Sequence, residues 1–271
     1  MKEKISRSTK SEKIDMILEH PERIQENELI PNLSINVIII HRSLWAVTLK
    51  DNELLYKVFY YNNLKKIRKE IELLNIMGQI QVELIVNDNT DFIYSRAPYL
   101  KMSDIDENCS GEWLYLKLKY WLDKWKTEKN FIEKVDSLWE IQTLPYMVKV
   151  LEHYLPNSEI YIDYLKTTKG VQFIHGDFSL SNVKLFENEV IILDFENADI
   201  GPVLWDEESF VYSLIENGYY SLAKQLFEKL GCSIQGVSCI AAIKLATAYK
   251  KNVKINERRK AFEYITNECW R

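Results

Sequence analysis

The hydrophobic pattern changes period partway along the chain. Before Pro98 the apolar residues alternate in short runs at Val37–Ile40, Leu44–Leu49, Leu54–Phe59, Val82–Val86 and Phe92–Ser95. Polar turns at His41–Ser43, Lys50–Glu53 and Asn87–Thr90 separate them. Alternation of this kind is the period of a strand with one covered face. A single helical run, Leu64–Met77, interrupts the strands. Beyond Pro98 the pattern is helical from about Glu112 to Leu165 and again from about Glu207, broken by short apolar strands at Val171–Ile174, Val183–Phe186 and Val190–Leu193. The chain is therefore expected to be α+β and bilobal. Residues 1–98 form a small antiparallel sheet with one main helix, and residues 99–271 form a larger, mostly helical lobe. Residues 11–27 read as a helix interrupted near Pro21, so 1–35 are a helical extension of the first lobe. A cleft at the junction is the expected ligand site.

Composition narrows the function classes. With 46% hydrophobic and 28% charged residues the chain is an ordinary globular sequence. Its net charge of −5 argues against nucleic acid as a partner, because phosphate backbones need clustered positive charge. The end of the chain departs from that average. From Lys244 to Arg271 eight Lys or Arg face three Glu, which fits either a solvated helix face or a docking surface for an anionic substrate. Cys109, Cys232, Cys239 and Cys269 form no C-x-x-C pair, so buried thiols in a reducing cytosol are expected. The charged N-terminus resembles no secretory signal, and no apolar run reaches the roughly 20 residues of a membrane helix. A cytoplasmic protein is expected. The sequence sets no oligomeric state.

The segment from Val171 to Phe210 carries the chemistry. Val183–Phe186 and Val190–Leu193 flank a polar turn, Glu187-Asn188-Glu189, as a β-hairpin does. Pairing Phe186 with Val190 sets Val183 opposite Leu193 and Asn182 opposite Asp194, with Cβ atoms about 5 Å apart. An amide and a carboxylate side by side offer Mg²⁺ two oxygens, and the ion prefers to complete its shell with water and substrate phosphate. Asp177 lies five residues before Asn182, on the loop leaving another apolar strand. A second carboxylate there suits the orientation of an attacking hydroxyl.

His175-Gly176-Asp177, then Asn182, then Asp194-Phe195-Glu196, resembles the catalytic core of the aminoglycoside phosphotransferase and choline kinase superfamily. Gly201-Pro202 followed by Asp206 extends the likeness. The resemblance implies a protein-kinase-like fold and an ATP- and Mg²⁺-dependent transfer of the γ-phosphoryl group to a hydroxyl of a small molecule. By the same resemblance Asp177 is the catalytic base or hydroxyl-aligning group, Asn182 and Asp194 hold Mg²⁺, and His175 and Asp206 brace the loop. Gly176 in place of the arginine of H-R-D, with no A-P-E segment, argues against a protein kinase.

The first lobe of such a fold needs a strand lysine paired with a helix glutamate. Alternation in Leu54–Phe59 puts Leu55, Lys57 and Phe59 on one face. An ammonium between apolar neighbours needs a partner, unless it sits on an edge strand and reaches water. In the following helix Leu64, Ile67, Ile71, Leu74 and Met77 form one stripe, Glu70 falls inside it and Glu72 points away. Lys57 is thus assigned to the ATP α/β-phosphates and Glu70 to holding Lys57. The first hairpin turn, His41-Arg42-Ser43, lacks the glycine many relatives carry, which suggests phosphate contact through the Arg42 or Ser43 side chain. It also keeps open a nucleotide-binding pseudokinase or scaffold. Arg96 to Tyr99 is the expected hinge, reading adenine through its backbone. For the acceptor, seven Trp and sixteen Tyr fit sugar stacking or plain core filling. Asp206, Glu207 and Glu208 cluster as an amine-binding pocket would, yet the chain end is basic. The reading leans to a sugar or glycoconjugate, with an aminoglycoside-type antibiotic as the alternative.

Overall fold

The computed structural model describes residues 37–42, 46–59, 63–86, 93–127, 129–133, 135, 137–168 and 171–267. The expected helix over 11–27, Ser43, the 87–90 turn and Cys269 lie outside the described residues. The chain divides after Lys101 into two compact units.

The first unit holds a five-stranded antiparallel sheet in the order β1-β2-β3-β5-β4. Its strands are β1 (Ile38–Arg42), β2 (Ala46–Asp51), β3 (Leu54–Phe59), β4 (Glu83–Val86) and β5 (Ile93–Pro98). β3 occupies the place its alternation predicts and is the central strand. The β2–β3 hairpin closes on two residues, with Asn52 at φ 53°. Asn tolerates that left-handed conformation better than most residues. β1 carries a bulge between Ile39 and His41 and continues through Arg42. His41 and Arg42 are therefore strand residues, a correction to the turn expected over His41–Ser43. The bulge inserts the extra residue that lets the strand extend past its predicted end.

Helix α1 (Leu64–Met77) starts where Asn63 Oδ1 accepts the Lys66 N–H and stops at Gly78, φ 71°. Such caps satisfy backbone groups that the helix leaves unpaired. Ile67 and Ile71 pack with Ala46, Phe59 and Ile93, so α1 covers the sheet's apolar face. Burial of each such side chain contributes roughly 1.5–3 kcal/mol. Leu73, rather than the expected Leu74, completes the buried stripe.

The second unit is mostly helical: α2 (Gly111–Thr127), α3 (Lys129–Ile132), α4 (Leu144–Tyr154), α5 (Glu159–Thr167), α6 (Trp205–Glu216), α7 (Tyr220–Leu230), α8 (Ile234–Lys251) and α9 (Ile255–Asn267). A wide π turn, Trp139–Thr143, precedes α4. Two small sheets complete the unit. β6 (Ser103–Asp104), β8 (Val183–Phe186) and β9 (Glu189–Ile192) form one, and β7 (Val171–Ile174) pairs with β10 (Asp199–Pro202) in the other. β6 and β10 lack a strand signature in sequence. In β10, Gly201 lies close against β7: a Cβ there would lie 2.4 Å from Ile174 Cδ1. α8 is the hub, with α4, α5, α6 and α9 packed against it. No helix among the described residues is long and apolar enough to cross a membrane.

The β8–β9 register corrects the expected one by a residue. Val183 faces Ile192 and Phe186 faces Glu189, around a two-residue turn of Glu187 (φ 48°) and Asn188 (φ 65°). Two left-handed residues make the turn whose twist matches the flanking strands, and it outcompetes the three-residue turn. Asn182 accordingly receives the Leu193 N–H on its carbonyl (2.9 Å) and does not face Asp194 across the ladder.

Candidate active site

The loop between β7 and β8 is held by side chains arriving from helices. Asp206, in the first turn of α6, is fully buried, and its two oxygens accept the N–H groups of His175 (2.7 Å) and Gly176 (3.1 Å). Burial pushes its carboxyl up to about 8, against the pull of those two N–H donors. Gly176 takes φ 81°, and a Cβ there would lie 2.2 Å from the Asn197 carbonyl oxygen. Only glycine fits so close an approach of two backbones. Farther along, Ser213 Oγ accepts the Leu180 N–H (2.9 Å) and donates to the Phe210 carbonyl (2.7 Å).

His175 is buried among Trp125, Phe178 and Phe195. Its Nε2 lies 2.8 Å from the Leu193 carbonyl, which can only accept, so Nε2 carries the proton. Nδ1 is then the acceptor for the Asp177 N–H at 3.4 Å. Burial lowers the imidazole pKa, the direction this neutral tautomer requires. One ring thus ties the loop containing Asp177 to the segment that leads into Asp194.

Asp177 Oδ1 accepts from Lys244 Nζ of α8 at 3.1 Å. Its Oδ2 lies 3.4 Å from Asn182 Nδ2, which also donates to the Asp177 carbonyl at 2.9 Å. Burial raises the Asp177 pKa, but the Lys244 charge and hydrogen bond, with His175 and Asn182, outweigh it and hold the carboxyl below its ordinary value. With Nδ2 committed, Asn182 has its amide oxygen left for a cation. Asp194 takes φ 65°, ψ 64°, and its Oδ1 is buried without a hydrogen-bond partner among the described residues. A buried carboxylate oxygen left this way calls for a ligand, and a divalent cation suits it. The donor set therefore fits the Mg²⁺ that the resemblance implies.

In the first unit, Lys57 Nζ lies 2.6 Å from Glu70 Oε1. The lysine stands on the central strand, which removes the edge-strand alternative, and Glu70 is buried on α1 while Glu72 is exposed. Arg42 ends β1, but its side chain and Ser43 lie outside the described residues. The Arg96–Tyr99 segment continues β5, with Tyr56 opposite Arg96 and Leu54 opposite Pro98. The Tyr99 N–H donates to the Glu53 carbonyl at 2.8 Å.

Sequence reasoning missed Lys244 and Ser213. Lys244 had a signal: it is the one charged residue in the run from Val237 to Ala248, otherwise the apolar face-to-face core of α8. Ser213 had none, because a serine inside a helix looks like any other.

A strand-borne lysine held by a helix glutamate in the first unit, and in the second Asp177 and Asn182 on the loop before β8 with Asp194 just after β9, fit a protein-kinase-like fold. Residues 90–216 match the family model described as "Phosphotransferase enzyme family". Among solved structures, aminoglycoside 2'-phosphotransferase-IIIa in its GDP complex matches with TM-score 0.62 and 15% identity, over 92% of this chain and 97% of that one. Amicoumacin kinase hAmiN, in complex with AMP-PNP, Ca²⁺ and Ami, matches with TM-score 0.63 and 10% identity over 96% and 98%. Choline kinase LicA from Streptococcus pneumoniae matches with TM-score 0.57 and 14% identity over 93% and 99%. No curated protein matches the sequence. The chain shares the protein-kinase-like fold of these aminoglycoside and choline kinases, and its residues 90–216 resemble the phosphotransferase family in sequence.

Proposed function

We propose that this chain transfers the γ-phosphoryl group of ATP to a hydroxyl of a small molecule, with Mg²⁺ as the metal. The observation that carries the reading is the loop geometry: Asp177 is anchored through His175 and Asn182, and Asp206 fixes the backbone beneath it. Phosphoryl transfer asks the protein mostly for positioning and charge compensation, and this loop is built for position. The acceptor oxygen bonds to the γ-phosphorus as the bond from that phosphorus to the bridging oxygen of ADP breaks. Asp177, with its lowered pKa, is a weak base toward a ground-state alcohol. It aligns the hydroxyl by accepting its hydrogen bond and takes the proton late, once the oxygen has begun to bond to phosphorus. Asn182 and Asp194 would hold Mg²⁺, which when bound offsets the charge of the phosphates. Lys57, steadied by Glu70, would contact the α/β-phosphates, with Arg42 and Ser43 as further phosphate contacts.

The neighbours named above act on an aminoglycoside, amicoumacin and choline, and we extend only their reaction type to this chain. A sugar-containing alcohol is the acceptor class we favour. Thermal unfolding with and without Mg·ATP tests the reading. Ligand at 100 times Kd stabilises by about 2.7 kcal/mol, a shift of several degrees for a chain of this size. Asp194→Ala should abolish the Mg²⁺-dependent part of the shift. An equal shift in wild type and variant would remove Asp194 from the metal site, and no shift with any nucleoside triphosphate would leave the pseudokinase as the better reading.

A further inference from the structure

Two observations bear on the charge of the acceptor. The first concerns Asp206, Glu207 and Glu208, which in sequence look like a pocket for amines. All three are buried and turned to internal partners. Asp206 holds the His175 and Gly176 N–H groups. Glu207 pairs with Lys126. Glu208 accepts from Ser233 N (3.1 Å) and Ser233 Oγ (2.8 Å), at the start of α8. A cationic ligand gains nothing from carboxylates it cannot reach.

The second is Lys244. Its side chain is 34% exposed and Asp177 is 37% exposed, so the pair meets solvent where the acceptor hydroxyl must arrive. An ammonium has three donors, and Asp177 takes one of them. A lysine whose only task was to neutralise a buried acid would be closed off from water. The helix around it is pinned: Arg258 of α9 donates to the Lys244 carbonyl (3.0 Å) and to Glu216 Oε1 of α6 (3.0 Å). The Arg258–Glu216 pair compensates itself, and on the α4 side Lys250 lies over Tyr146 rather than against an acid. Among the described residues, Lys244 is the cation in contact with Asp177.

We propose that Lys244 selects the acceptor by charge. It admits alcohols that are neutral or carry an anionic group beside the reacting hydroxyl, and it excludes cationic ones. This rests on the phosphotransferase reading. An anionic group next to the hydroxyl meets the ammonium donors that Asp177 leaves free, whereas an amine there meets a like charge a hydrogen bond away from the carboxylate it would seek.

The test uses the full chain and separates the two readings. Mg·ATP binding by calorimetry comes first, and its absence would overturn the phosphotransferase reading itself. With binding intact, ADP release is followed with three related sugars: glucuronate, glucose and glucosamine. Wild type should use glucuronate and glucose at least about tenfold better in kcat/KM than glucosamine, the size of one charge-assisted contact. Lys244→Glu should reverse the order of glucuronate and glucosamine. A preference for glucosamine in wild type, an unchanged order in Lys244→Glu, or no discrimination among the three would sink the proposal. Lys244→Met should lose the preference between glucuronate and glucosamine, and Lys244→Arg should keep it. A preference left unchanged in Lys244→Met would overturn the proposal as well.

Discussion

At the residue scale, Asp177 retains few degrees of freedom. Its carboxylate touches Lys244 and Asn182, and its N–H faces His175. Asp177→Ala removes the aligning group without opening the core, because the side chain is partly exposed. Turnover should fall by at least about a hundredfold, the usual scale for a lost acid–base or aligning group, while Mg·ATP binding persists. Wild-type-like ADP release in that variant would remove Asp177 from the chemistry. In the first unit, Glu70→Ala leaves the Lys57 ammonium without its 2.6 Å partner, so the lysine no longer points in one direction. Nucleotide affinity should drop severalfold, and calorimetric titration with Mg·ATP reads it directly. Much of this was legible beforehand. Lys57 and Glu70 follow from strand and helix periods, which are local. Lys244 does not, since its partner is 67 residues away and only the packing of α8 brings the two together.

At the scale of elements, the loop after β7 is clamped from α6. Asp206→Ala would strand the buried His175 N–H, at a cost of about 1–3 kcal/mol, together with the partly buried Gly176 N–H. The melting temperature should fall by several degrees, and a smaller loss than one N–H group predicts would show that water takes the place of the carboxylate. The same residue shapes the pH dependence. Its folded pKa is raised to about 8, so between the ordinary carboxyl value and about 8 the folded state binds the extra proton. Stability from this group is therefore present at low pH and is lost as pH rises toward 8. Glu208, raised to about 7, acts in the same direction. Melting temperatures at pH 5 and pH 8 should differ less in Asp206→Asn than in wild type. Gly176→Ala tests the opposite wall of the loop. With φ 81° and the Asn197 carbonyl 2.2 Å from the new Cβ, it should destabilise by about 1–3 kcal/mol in chemical denaturation.

The elements also show where the sequence misleads. The β8–β9 hairpin was visible as two apolar runs, but its register was not, because the choice between a two- and a three-residue turn depends on whether Glu187 accepts a left-handed backbone. It does, at φ 48°. The expected pairing of Asn182 with Asp194 across the ladder was consequently wrong. β6 was invisible because two residues carry no pattern, and β10 because Asp199 and Gly201-Pro202 leave Ile200 as its one large apolar residue.

At the scale of the molecule, the two units answer to different physics. Among the described residues the first is a five-stranded sheet covered by α1, and it carries the Lys57–Glu70 ion pair. The second is a helical body whose hub, α8, is reached by four other helices. If one nucleotide is read by both, hydrogen exchange with and without Mg·ATP should slow in β3 and α1 and also in residues 175–182 and 193–197. Protection confined to one unit would show that only half of the proposed machinery engages the ligand. The bilobal α+β division was the most legible feature of all, since a change from period 2 to period 3.6 survives any local error in strand ends.

The Arg258 guanidinium has a consequence for anyone expressing or mutating this protein. It joins α9 to α8 and α6, and it does so at the carbonyl of the residue that touches Asp177. A stop codon or frameshift just ahead of Arg258 would keep every residue of the transfer loop and the metal pair, so the gene would still look intact by motif. Its product would lack the strap that holds Lys244 in place. It would also lose Ala261 and Ile265, which α9 buries against the helical body, so screening by motif would pass as whole a product with an opened core.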